Sequence, residues 1–280
     1  MNLPAYRHVV LVFLASWVAT ATVVAQDLFP DKNLDAVVRQ YVFEKRNTDK
    51  PLTVQDVENI STIVGKGKKI TNLAGLDKCR SLALLDLADN QVADLTPLKD
   101  LKSLQSLNMA KNKVVDVKPL EGNTALQYLQ LADNQIADLT PLAKLANLRS
   151  LYLSNNKVKD LAPLAGLVKL WSLYADGNQL VAIDPLAKLK NLSSLDLRDN
   201  QVANLGPLKE LTELRYLLLN NNKVTDLQVL VEMAAKDSAG EKRFSPFWHL
   251  YLKGNPLSDA AQGKQLAELK KVGSRVHLDK

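Results

Sequence analysis

Few side chains in this sequence have both the type and the spacing for chemistry. The three histidines, His8, His249 and His277, lie far apart and lack the short ligand spacings of a zinc motif. Cys79 is the single cysteine, which excludes an intramolecular disulfide and a cysteine-based metal site. In the repeat register described below, His249 stands two repeats from Ser194 and Asp196, and no glycine-rich phosphate loop or nucleophile motif is present. Asp94, Asp116, Asp138, Asp160 and Asp226 recur in a way that suggests calcium. They read more simply as turn residues that bond to nearby backbone. Asn59-Ile60-Ser61 and Asn191-Leu192-Ser193 fit a glycosylation pattern, but both sit inside the repeat. No catalysis, metal or cofactor is expected; the remaining chemistry is that of binding.

The elements that would position a binding face come from an internal repeat. Leu82, Leu104, Leu126, Leu148, Leu170, Leu192 and Leu214 stand 22 residues apart. Each is followed at fixed offsets by a second leucine, a third apolar residue and an asparagine. The unit is L-x-x-L-x-L-x-x-N-x-V-x-D-L-x-P-L-x-x-L-x-x, and a period in this range marks a solenoid. Its L-x-L step has period two, so it predicts a short strand with leucines inward and the intervening residue outward. Asn90, Asn112, Asn134, Asn156, Asn178, Asn200, Asn222 and Asn255 each follow a strand. An amide both donates and accepts, so stacked copies are expected to form a structural ladder that satisfies buried backbone in the turn. Proline at 97, 119, 141, 163, 185 and 207 suits the first position of a convex helical turn. Asn123 interrupts the last leucine column, and the repeat supplies no partner for it.

The predicted fold is an α/β solenoid: a leucine-rich-repeat horseshoe with a parallel sheet on the concave face and short helical or 3-10 turns on the convex face. A stack needs lids. Residues 26–59 are read as a helical N-terminal cap, with Asp31 capping one helix and Thr53 opening a second. The solenoid is expected over 60–257, opening with a degenerate repeat at 60–81 in which Gly65 and Lys68 replace leucine and asparagine. Cys79 falls in its leucine column and reads as a buried core residue. Seven regular repeats run from 82, with an insertion at about 228–246, and a last repeat at 247–257 begins with Phe247 in the leucine position. Residues 258–280 are expected to form a capping helix and tail, with Ser258 at its start and Gly273 at its end.

The register also assigns the outward positions. Tyr128, Tyr152, Tyr174, Tyr216 and Tyr251, five of the seven tyrosines, fall there, together with Asp176, Asp196, Arg198 and His249. Trp171 and Trp248 lie immediately beside them. With aromatics at only 5%, this placement predicts a partner-binding face, because tyrosine and tryptophan bury large area at small entropic cost. The best patch is Tyr128, Tyr152, Trp171 and Tyr174. A protein ligand is the leading expectation and a carbohydrate or cell-envelope polymer the alternative, with the chain acting as a monomer.

A net charge of +6, from 36 basic and 30 acidic residues, is a mixed surface. The longest basic cluster is Lys66-Gly67-Lys68-Lys69, so nucleic acid is not an expected partner. At the start, Arg7 and His8 precede an apolar run from Val9 to Ala25 that ends in small residues. This is the pattern of a signal peptide over 1–25 cleaved after Ala25, with an uncleaved anchor as the alternative, and it implies export to a periplasm or to the outside.

On these residues the chain resembles the internalin-like bacterial leucine-rich-repeat proteins with 22-residue repeats. The likeness extends from Leu28-Phe29-Pro30-Asp31-Lys32-Asn33-Leu34, which looks like the family's cap, through Gly67-Lys68-Lys69-Ile70-Thr71-Asn72-Leu73 and the repeats. It implies protein binding on the concave face. The final residues, Val276-His277-Leu278-Asp279-Lys280, carry no cell-wall sorting signal, so display by that route is not expected.

Overall fold

The structure, a computed structural model, describes residues 27–279. The segment read as a signal peptide, with His8, lies outside the described residues. Ten three-residue strands form one parallel sheet in chain order. They are β1 (Thr62–Val64), β2 (Leu84–Asp86), β3 (Ser106–Asn108), β4 (Tyr128–Gln130) and β5 (Ser150–Tyr152). β6 (Ser172–Tyr174), β7 (Ser194–Asp196), β8 (Tyr216–Leu218), β9 (His249–Tyr251) and β10 (Arg275–His277) follow. Pairing from β1 to β8 keeps the 22-residue step, as in Leu85↔Leu107 and Leu151↔Leu173. At about 4.8 Å per step the nine steps of the sheet run roughly 43 Å. The middle residue of each regular strand is buried and its neighbours face outward.

Behind the sheet, the leucine columns make one continuous core with side chains almost wholly removed from water. The asparagine ladder closes the turns. Asn156 accepts from the Ile136 N–H at 2.9 Å and donates to the carbonyls of Leu131, Leu153 and Ser154 at 2.9, 3.0 and 3.2 Å. The same pattern recurs at Asn134 and Asn178. Asn90 serves the degenerate repeat, accepting from Lys68 and Ile70 N–H. A left-handed residue precedes each rung, among them Asp89, Lys111, Asp133, Asn155 and Gly177, and this conformation bends the chain out of the strand.

The convex turns are 3-10 helices, as at Thr96–Leu98, with proline at the second position rather than the first. The reason is local. Asp94 already accepts from the Thr96 N–H at 2.8 Å, so the first donor has a partner and proline takes the next place. Asp116, Asp138 and Asp160 do the same for Lys118, Thr140 and Ala162. These bonds hold the Asp138 carboxyl below its usual range, the Thr140 side chain contributing most. The aspartates are turn formers. Asn123 also finds partners: its Nδ2 donates to the carbonyls of Leu98 and Leu101 at 3.0 and 2.9 Å, while its buried Oδ1 has none among the described residues.

At the N-terminal lid, α1 (Lys32–Arg39) buries Leu34, Val37 and Val38. Tyr41 lies beyond the helix, and its hydroxyl accepts from the Val64 N–H at 2.8 Å. Gly65 stands in a leucine column because the room is taken: a Cβ there would meet Val37 Cγ1 and Leu87 Cδ2 at 3.0 Å. Asp31 both caps α1, through Asn33 and Leu34 N–H, and accepts from Thr71 and Asn72 N–H of the first repeat. Thr53 precedes α2 (Val54–Val57), as expected. Cys79 is fully buried.

The C-terminal end departs from the sequence reading at the entry to β9 and after the closing helix. The insertion is a packed helix, α3 (Gln228–Ala239), that buries Leu230, Met233 and Ala234, followed by a loop gathered on Asp237. That carboxylate accepts from Arg243, Phe244 and Ser245 N–H. The chain then enters β9 from a 3-10 turn, Ser245–Phe247, instead of a leucine coil. The inward side chain shifts by one residue: Trp248 is buried edge-on against Phe244, and Phe247 is 58% exposed. Trp248 is therefore core and not part of the outward face. After the closing helix α4 (Leu266–Lys271), Gly273 reverses the chain with φ of +93° and β10 pairs with β9. The tail expected after the helix is the last strand of the sheet.

Candidate functional site

Strand register brings the central tyrosines together. Tyr152 and Tyr174 occupy the same outward position of adjacent strands, and their rings stack at 4.9 Å with 14° between planes. Tyr128 reaches Tyr152 diagonally at 5.4 Å. All three are half-buried. Burial raises the Tyr128 phenol above its ordinary range, with the neighbouring Tyr152 and Asp86 adding to it. Burial and Tyr174 act likewise on Tyr152. These hydroxyls remain protonated donors at neutral pH.

The polar residues assigned to the face divide into two kinds. Asp196, expected to project from β7, is fully buried in the same row, next to Tyr174 and Leu218. Arg198 folds back over it, donating through Nε at 2.9 Å and Nη2 at 2.6 Å. Burial raises the Asp196 carboxyl, against the lowering effect of Arg198. Asp196 is thus spent on holding Arg198 and is closed to a partner, a correction to its outward assignment. Asp176 stays half-exposed and accepts from the Ser154 hydroxyl. Trp171 is 56% exposed one residue before β6, and among the described residues no ring contact joins it to the tyrosine row.

A second aromatic group lies at the C-terminal end. Tyr216 stacks on His249 at 5.0 Å, and Tyr251 on His277 at 4.3 Å. His249 Nδ1 and His277 Nε2 are 3.3 Å apart, and Arg275 Nη1 lies 3.5 Å from His249 Nε2. Burial lowers the His249 pKa, helped by the charges of Arg275 and His277. In sequence His277 lies 28 residues from His249, and the one signal for its place is the polar-apolar-polar alternation of Arg275-Val276-His277. Ser194 does not meet His249, because β8 with Tyr216 stands between them. Among the described residues no cluster of three or more metal-ligating side chains occurs.

The family model for leucine-rich repeats in two copies matches residues 80–122, 124–166, 168–210 and 190–232. Internalin C2 of Listeria monocytogenes is 34% identical, with 74% of this chain and 91% of that chain covered and a TM-score of 0.71. This chain belongs to the internalin-like leucine-rich-repeat family. A second internalin of that organism, InlF, is 25% identical over 90% of this chain and 92% of its own, with a TM-score of 0.53. The fold alone is shared with a plant peptide hormone receptor, RGFR1, solved in complex with RGF2. That match is at 20% identity, 65% and 30% coverage and a TM-score of 0.55. No curated protein matches the sequence significantly.

Proposed function

We propose that this internalin-like chain is an exported, non-catalytic binding module that captures a partner protein on its concave face. The observation that carries the reading is the stacked row Tyr128–Tyr152–Tyr174, held half-exposed on a rigid sheet. Large rings fixed before binding lose little entropy on contact, which is the condition for a binding hot spot. Tyr216, His249 and Tyr251 extend aromatic surface toward the C-terminal end. A carbohydrate is served less well by the row, because Tyr152 and Tyr174 cover one another's faces instead of offering a flat platform. Export rests on the apolar segment ending at Ala25. Among the described residues no helix is long and apolar enough to cross a membrane.

Truncation tests the reading. Tyr152→Ala and Tyr174→Ala remove ring stacking that contributes about 0.5–1.5 kcal/mol per pair, so both variants stay folded. Partner retention on the immobilised chain should fall by more than about tenfold, in line with hot-spot losses. Unfolding of both variants, or undiminished retention, overturns the proposal.

A further inference from the structure

The charge on the concave face runs opposite to that of the chain. Overall the sequence has an excess of lysine and arginine, at +6. From β2 to β7, however, the outward positions and the border that follows the strands carry Asp86, Asp89, Asp133, Asp176 and Asp199. Among the described residues none of these five is in an ion pair. Against them stand Lys111 and Arg198, and Arg198 is committed to Asp196. The tyrosine row crosses the middle of this acidic stretch, with Asp86 close enough to Tyr128 to act on its phenol and Asp176 one position beyond Tyr174 in the same repeat. The opposite border, one residue before each strand, carries Arg149 and Arg215, so the acidic ground is confined to one side of the groove.

Resting on the binding role proposed above, we infer that this half of the concave face takes an extended partner segment bearing lysine or arginine. Carboxylates beside half-exposed phenol rings suit such a side chain twice over, by ion pairing of its charged end and by packing of its aliphatic stem along the ring edges. Asp86 and Asp176 are four strand steps apart, about 19 Å at about 4.8 Å per step, which an extended segment of about six residues spans. The tyrosines, on β4 to β6, lie under the second half of that path. A basic segment must be drawn to this place locally, because the net charge of the chain repels it.

Fluorescence anisotropy with the full chain tests the inference. Three labelled 12-residue peptides share one neutral scaffold and differ only in carrying three lysines, three glutamates or three glutamines. The lysine peptide is expected to bind, with affinity falling as salt rises from 50 to 500 mM, and the other two are not. The triple variant Asp86→Asn, Asp133→Asn, Asp176→Asn keeps each side-chain acceptor in place, including those that hold Ala88 N–H and Asn155 Nδ2. It should lose about tenfold in affinity, from three exposed ion pairs each contributing a factor of about two. Glu121→Gln on the convex side should change nothing. Equal or tighter binding of the glutamate or glutamine peptide, no binding of the lysine peptide up to millimolar concentration, or an unaffected triple variant overturns the inference. Retention of a partner that depends on Tyr152, combined with any of those results, leaves the binding role standing and removes only the basic segment.

Discussion

Two asparagines in the same core should respond to substitution to very different extents. In Asn156→Ala the carbonyls lose little: Leu131 O keeps Asn134 Nδ2, Leu153 O keeps Asn178 Nδ2, and Ser154 O keeps the Asp133 N–H. The Ile136 N–H, in contrast, has Asn156 Oδ1 as its one acceptor among the described residues and is left buried without it. An orphaned buried donor costs about 1–3 kcal/mol, and the weakened donations add about 1 more. The sum is about 2–4 kcal/mol, or a drop in Tm of roughly 5–12 °C for a chain of this size. In Asn123→Leu the carbonyls of Leu98 and Leu101 retain the backbone N–H groups of Leu101 and Leu104, and the unpartnered Oδ1 disappears. That variant should fall within about 1 kcal/mol of the parent or exceed it. Urea unfolding followed by circular dichroism measures both. Equal destabilisation by the two variants, or a loss below about 1 kcal/mol for Asn156→Ala, refutes the idea that the ladder is held by its acceptor oxygen.

Three further outcomes follow from single groups. Burial raises the Asp31 carboxyl, but the bonds from Thr71, Leu34 and Asn72 outweigh it and hold the folded pKa below its ordinary value. Its stabilisation is present above the unfolded carboxylate range near 3.9 and is lost as pH falls through the folded value. Asp31→Ala should therefore cost about 1–2 kcal/mol at pH 7 and progressively less in acid, in melts taken from pH 7 to 2.5. The Cys79 thiol is pushed up to about 12 by burial and then by the charge of Asp77, so Ellman's reagent should react only as fast as the first repeat opens; prompt labelling would place the thiol at the surface. His249 is held below its ordinary pKa by burial and by Arg275 and His277, so its contribution is present above about pH 6.5 and lost as pH falls. Hydrogen exchange corrected for intrinsic rate should show the Arg275 and Leu252 amides, which bond to Trp248 O and His277 O across the β9–β10 seam, losing protection from pH 7.5 to 5.5. Unchanged protection would show that backbone pairing alone secures β10.

The regular solenoid was legible because each unit repeats the same physical solution: leucines at period two, an amide for the turn, an aspartate and proline for the convex helix. The departures fall where that periodicity ends. Trp248 and Phe247 exchange roles because α3 replaces a leucine coil, and the direction of entry into a strand is not written in the strand itself. β10 lies outside the 22-residue register, so its three-residue alternation had no repeat to single it out after the closing helix. Asn123 broke a column, and its donation to Leu98 and Leu101 needs the preceding turn in place. The tyrosine row could be read from the 22-residue register. The fate of Asp196 could not, because its burial depends on Arg198 folding over it two positions later. The unpaired aspartates were also out of reach, since ion pairing is decided by rotamers and not by spacing.

The most direct test of the binding face is photo-cross-linking in the cell, with a benzophenone side chain at position 152 on the concave face and, as control, at the exposed convex position 144. A discrete protein adduct at 152 that is absent at 144 is the predicted result. With folded, exported chain in both cases, adducts only at 144, or none at 152, would contradict the assignment of the tyrosine row as the site that holds a partner protein.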